Sequence, residues 1–202
     1  FGSSFCGSRA QFCVIGFQCN NFWRNHQRYL MASLHDAAHS GNRKMISAIL
    51  NDRPEEDLDG LDAKGLAPLH YAVMANKSGA GSYLVDLGAD VDVLDRIGNT
   101  PLHLAAGANA KLAASFLLRA GASRQPVNKV GDTPLHVAAQ FDSAEVAWLI
   151  VNNESMYDND GVLSRDVKDG SGKTAMEVAE ACGSLRVIRV LDGEEPPRLS
   201  RL

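Results

Sequence analysis

No apolar run in this 202-residue chain approaches the roughly 18 residues needed to cross a bilayer, so a helical membrane span is not expected. Cysteine is scarce and unevenly placed: Cys6, Cys13 and Cys19 fall within the first twenty residues, and Cys182 stands alone. The rest of the chain has almost no disulfide potential, which suits a reducing compartment and an intracellular location, cytoplasmic or nuclear. A basic excess is missing as well. Twenty Lys and Arg stand against 24 Asp and Glu, a formal charge of −4 with a pI near 5.8, which argues against a general nucleic-acid binder. Catalytic signatures are also lacking. There is no GxSxG, no HExxH, no phosphate-cradling GxxxxGK and no GxGxxG set between strand and helix, so neither enzyme activity nor a cofactor is expected.

What the chain does have is internal repetition. Ala67 to Val73 reads APLHYAV, Thr100 to Ala106 reads TPLHLAA and Thr133 to Ala139 reads TPLHVAA, so Pro68, Pro101 and Pro134 are 33 residues apart (101 − 68 and 134 − 101). A period of that size marks a stacked array in which each unit buries its apolar face on the next. With 45% hydrophobic and 22% charged residues, the chain can supply a core that grows along such a stack. Thr100 is a good N-cap whose hydroxyl is expected to accept from a backbone N–H, Pro101 suits the first helical position, and His103 at the third can reach back to the cap. Gly65, Gly98 and Gly131 recur at one point of the period and predict a tight turn with positive φ.

A second helix follows each first one. Its apolar face is expected to be Ile46, Ile49 and Leu50 in the first copy, Tyr83, Leu84 and Leu87 in the second, Leu112, Phe116 and Leu117 in the third, and Val146, Leu149 and Ile150 in the fourth. Gly79-Ala80-Gly81 reads as a loosened turn at the start of one of these helices. The first copy opens at Ser33 as a polar cap, with Leu34, His35, Ala37 and Ala38 repeating LHxAA and Gly41 closing the helix.

The segments LxxLGAD (Leu84 to Asp90) and DxxGxTPLHxAA (Asp95 to Ala106) together resemble the ankyrin repeat. The resemblance covers Leu34 to about Leu191, with three full copies and two degraded ends. It implies an all-α repeat solenoid of about five units, each a hairpin loop with an inner and an outer helix, stacked in a curved array whose concave side binds other proteins. The expected function is therefore a non-enzymatic adaptor or scaffold, monomeric, that binds a protein partner. The alternative is a regulatory ankyrin segment of a larger enzyme, channel or signalling protein.

The boundaries expected are a leader over 1–30, the array over 31–192 and a polar tail over 193–202. The leader lacks Asp and Glu and carries Arg9, Arg24 and Arg28, which fits either a transit peptide or sequence upstream of a natural start at Met31. Cys13, Cys19 and His26 are too widely spaced for a compact zinc motif. Between the fourth and fifth copies the spacing grows to 41 (Thr174 minus Thr133), placing an extended finger near 156–162. A calcium loop framed on Gly161 would put Met156 first and Val167 last, where oxygen ligands are needed, so no calcium is expected. In the fifth copy Ala175 and Glu177 stand where Pro and His stand elsewhere, and Arg186 and Arg189 enter the second helix, as suits a terminal unit.

Candidate binding residues come from positions without packing duties, namely the hairpin tips and the ends of the inner helices. They are Lys64, Leu66, Met74, Arg96, Ile97, Asn99, Lys129, Val130, Asp132, Gln140 and Phe141. The cations Lys64, Arg96 and Lys129 interleave with apolar side chains and predict an acidic partner with hydrophobic anchors. His35, His70, His103 and His136 recur too, but stacked copies lie roughly 10 Å apart, too far to share a metal. They are expected instead to tie a cap to the adjacent repeat.

Overall fold

The computed structural model describes residues 33–152, 164–194 and 196. Each repeated stretch starts a short helix, because the residue before it is extended (Thr100 φ −82, ψ 166) and proline at the next position favours the first turn. These inner helices are α1 (Leu34–Ser40), α3 (Pro68–Met74), α5 (Pro101–Gly107), α7 (Pro134–Gln140) and α9 (Ala175–Cys182). The outer helices are α2 (Arg43–Asp52), α4 (Ser78–Asp86), α6 (Lys111–Arg119), α8 (Ala144–Asn152) and α10 (Leu185–Leu191). The described residues thus form an all-α solenoid of five helix pairs, with a single 3-10 turn at Ser164–Asp166 and one isolated antiparallel bridge between Lys168 and Thr174. The cysteines of the leader, its zinc reading and the finger near 156–162 lie outside the described residues.

Inner helix packs on inner helix and outer on outer along the whole stack. The seam consists of Leu34, Leu69, Leu102 and Leu135, none more than 1% exposed, and of the alanine pairs that follow them, such as Ala105 and Ala106 at 0%. Full burial of one such leucine stabilises by about 1.5–3 kcal/mol, and the alanines let neighbouring helices approach. The outer faces depart from expectation at two places. Leu87, which follows the last residue of α4, is 41% exposed; Leu112 is 58% exposed because α6 turns Ala113, Ala114, Leu117 and Leu118 inward instead. Gly79 and Gly81 are not a loosened turn but the first turn of α4. A Cβ on Gly81 would stand 2.5 Å from Phe116 Cζ, so the missing side chain makes room for the ring.

The inner-to-outer turn uses a left-handed residue at one recurring place: Gly41, Asn76, Asn109, Asp142 and Gly183, with φ between 47 and 76. Asn76 and Asp142 add a second job. The Asn76 Oδ1 accepts from Ala113 N–H at 3.3 Å, and one Asp142 oxygen accepts from Arg186 and Val187 N–H at 3.1 and 3.2 Å, capping the outer helix of the following pair.

Ser33 caps α1 as expected, its hydroxyl accepting the Asp36 N–H at 3.0 Å, and His103 reaches back to its cap as expected; the Thr100 hydroxyl is what departs from the expectation. In α5 the Thr100 hydroxyl does not accept from the backbone. The imidazole is the acceptor: His103 Nδ1 takes the Thr100 N–H at 3.1 Å and faces the Thr100 hydroxyl at 3.0 Å. A ring nitrogen that accepts carries no proton, so the proton is on Nε2. That N–H donates to the carbonyl of Asp132, in the next hairpin, at 3.0 Å. His70 and His136 repeat the arrangement toward the Asn99 and Lys173 carbonyls at 3.3 and 3.0 Å. Each histidine therefore closes its own cap and ties it to the adjacent repeat. In α9, Glu177 closes the cap by taking the Thr174 N–H at 2.7 Å, and a carboxylate has no N–H with which to reach a carbonyl of the next unit.

Candidate functional site

Between the helix pairs the chain makes hairpin loops, each built on one Asp or Asn. Asp62, Asp95, Asn128 and Asp169 accept with a single side-chain oxygen from two backbone N–H groups, two and four residues on, at 2.8 to 3.0 Å. The turn closes on Gly65, Gly98, Gly131 and Gly172, all with φ between 79 and 97. Successive tips stack through backbone bonds, Arg96 N–H to Gly65 O at 3.3 Å and Lys129 N–H to Ile97 O at 3.1 Å.

Between the third and fourth units the hairpins and inner helices enclose an open groove of about 470 Å³. Six of the eleven residues expected from sequence line it: Met74, Ile97, Asn99, Asp132, Gln140 and Phe141. The apolar members project: Met74 is 49% exposed, Ile97 57% and Phe141 63%. Leu104 and Val137 complete the apolar wall. They were missed in the sequence reading, although the residue between LH and AA in each copy (Tyr71, Leu104, Val137) is the one that the seam leaves partly uncovered.

Asn99 is not free of the hairpin's own structure. It is 8% exposed, its amide nitrogen donates to Asp95 at 3.1 Å and its oxygen accepts from Asn128 at 2.9 Å. The remaining five expected residues, Lys64, Leu66, Arg96, Lys129 and Val130, stand outside the groove on the tips. Their cations are partly engaged. The Lys64 ammonium lies 5.8 Å from the centre of the Tyr71 ring, the Arg96 side chain covers Gly65, and Lys129 Nζ donates to the Arg96 carbonyl at 2.6 Å.

The electrostatics of the face follow from these contacts. Asp62 is held at about 2 by the Tyr71 hydroxyl, which donates to it at 2.7 Å, and next by the Leu66 N–H; the same bond pushes Tyr71 up to about 12. Burial lowers the pKa of His103, so the ring at the back of the groove is neutral at pH 7. Among the described residues, no cluster of three His, Cys, Asp or Glu side chains gathers as for a metal, and no helix is long and apolar enough to cross a membrane.

The family model for ankyrin repeats (3 copies) matches residues 34–127 and 82–160. Those matches reach from the first helix pair past the fourth. The fifth pair lies beyond them, where Ala175 and Glu177 replace the proline and histidine of the repeat. A search of the curated proteins finds none that matches the chain. Repeats, hairpins, paired helices and inter-repeat histidines agree with that match: the chain belongs to the ankyrin-repeat family, whose repeats are generally protein–protein interaction modules.

Proposed function

We propose that this chain is a non-enzymatic binding module that captures a segment of a protein partner on its hairpin and inner-helix face, in the groove between the third and fourth units. The observation that carries this reading is the convergence of Met74, Ile97 and Phe141, each about half exposed or more, on one concavity, while the seam leucines are fully covered. Covering a half-exposed side chain of this size contributes about 1 kcal/mol, so these residues supply anchoring while the polar rim supplies orientation. The acidic character expected of the partner belongs to the flanks of the bound segment, which pass over Lys64 and Arg96 on the tips. The recurring histidines have no part in chemistry under this reading, since both ring nitrogens of His103 are spent on the cap and on the next hairpin.

The test is affinity capture with four forms of the protein: wild type, Ile97→Ser/Phe141→Ser, Arg96→Glu/Lys129→Glu, and the outer-helix control Leu112→Ser. The expected result is that proteins captured by the wild type and by the control are lost from the first double variant and weakened in the second. Retention of every captured protein by a folded Ile97→Ser/Phe141→Ser form removes the groove from consideration.

A further inference from the structure

The residue after the turn glycine changes character along the stack. Leu66, Asn99, Asp132 and Lys173 hold that place in successive hairpins. Only two of them line the groove, and they differ in what they leave unspent. Asn99 is consumed within the hairpin row, as described. Asp132 is half-buried, and one of its carboxylate oxygens accepts from the Gln140 amide at 3.1 Å. No Lys, Arg or His nitrogen among the described residues stands within 4.0 Å of that carboxylate. Its backbone does the structural work separately, through an N–H given to Asn128 and a carbonyl that receives His103 and Asn128.

The groove is therefore an apolar concavity with one negative charge. Among the described residues that line the groove, Asp132 carries the only carboxylate, no Lys or Arg side chain joins it, and burial keeps the His103 ring neutral. A bound segment that covers Ile97 and Phe141 also strips water from Asp132. An unpaired carboxylate resists that transfer, a neutral donor satisfies its hydrogen bonds but not its charge, and a cation satisfies both. Gln140 already occupies one oxygen, which leaves the other for the incoming group.

We infer that the segment held in this groove carries a Lys or Arg side chain between bulky apolar side chains, the cation meeting Asp132 while the apolar groups cover Ile97 and Phe141. This rests on the groove reading above and adds to it a charge inside the anchor region, opposite in sign to the acidic flanks over the tips.

Displayed random dodecapeptides are the probe, selected in parallel on the full chain as wild type, Asp132→Lys, Asp132→Asn and Ile97→Ser/Phe141→Ser, with circular dichroism confirming that each form is folded. Wild type is expected to enrich peptides with Lys or Arg flanked by apolar residues, and Asp132→Lys to enrich Asp or Glu at the same place. A synthetic peptide from the wild-type pool should lose about tenfold or more in affinity on Asp132→Lys, lose less on Asp132→Asn, and recover on Asp132→Lys when its own cation is changed to Glu. If wild type and Asp132→Lys enrich the same peptides while the double serine variant enriches none, the role of Asp132 is overturned and the groove stands. If the double serine variant enriches the wild-type peptides, or wild type enriches nothing, the groove reading falls and this inference with it.

Discussion

Replacing His103 by leucine tests the joint between the third and fourth units. The two side chains are of similar size, so the change removes hydrogen bonds with little cavity. Thr100 is 1% exposed, and its N–H has the imidazole as its acceptor; in the variant that donor is buried without a partner, at a cost of about 1–3 kcal/mol. The Asp132 carbonyl loses the Nε2–H but keeps the Asn128 N–H at 3.0 Å, which costs about 0.5–1.5 kcal/mol. Together the loss is about 1.5–4.5 kcal/mol, a large share of the roughly 5–15 kcal/mol by which domains are stable. The variant also carries a signature in pH. Burial lowers the folded pKa of His103 below the ordinary 6.5, so between those values the unfolded chain binds more protons. The stability at stake is fully present above the unfolded value and is lost as pH falls through the folded one. His70, lowered by burial in the same way, contributes likewise. Urea unfolding followed by circular dichroism at about pH 7.5 and about pH 5 reads both effects. The expected result is a lower midpoint for His103→Leu at the higher pH and a smaller further loss on acidification than wild type shows. A variant within about 0.5 kcal/mol of wild type at neutral pH, or one that loses as much on acidification, refutes the reasoning.

Further outcomes are expected at three other sites. Leu102→Asp places a carboxylate at a 0% exposed seam position and should destabilise by several kcal/mol, whereas Lys111→Ala on the exposed start of α6 should leave the urea midpoint unchanged. Gly131→Ala meets both a positive φ of 97 and the backbone of Gly170 in the next hairpin, so it should cost more than the about 1 kcal/mol typical of a left-handed position alone; differential scanning calorimetry against Gly172→Ala, which has φ 82 and open space, isolates the contact. Burial raises the pKa of Asp92, with the Asp90 charge adding to it, while the carboxylate accepts the Ser123 N–H. The raised folded value means a penalty present above it and absent at low pH, so Asp92→Asn, which keeps an acceptor, should raise the Tm at pH 7 and gain nothing once acid protonates the wild-type carboxylate.

The architecture was legible because the residues that start and seam the inner helices are the ones that recur. Pro68, Pro101 and Pro134 begin helices, Leu102 and its equivalents are buried, and the turn glycines have the positive φ that their recurrence suggested. Legibility failed where one position has two neighbours in space. A period alone does not say which of Leu112 and Ala113 faces inward, since the angle of the outer helix is fixed by packing on the pairs on either side. Nor does it say that Gly81 is needed for a ring 35 residues further on. The capping expectation at Thr100 failed for another reason. A hydroxyl and an imidazole can each accept; here Nδ1 accepts the Thr100 N–H, and the carbonyl of Asp132, far off in sequence, receives the proton that this leaves on Nε2. Of the candidate binding residues, Met74, Ile97, Gln140 and Phe141 lie in the groove at positions that the seam does not use, whereas Asn99 stands there as part of the hairpin row. Which tip cations stand outside it depends on how Gly65 and the Arg96 carbonyl receive the side chains from the next hairpin.

The histidine that joins one unit to the next gives the array a direction, since every such bond runs from an earlier cap to a later hairpin. At the last of these joints the two copies are 41 residues apart rather than 33, and His136 still reaches the Lys173 carbonyl at 3.0 Å, the same length as the bond from His103 to Asp132. Contour length between units is thus a free variable, while the docking register is not. Grafting of foreign segments should be tolerated at that connection, and shuffling of whole units should succeed wherever the recipient hairpin offers a carbonyl in the place of Lys173. An array built this way can lengthen or acquire an appendage without renegotiating its core.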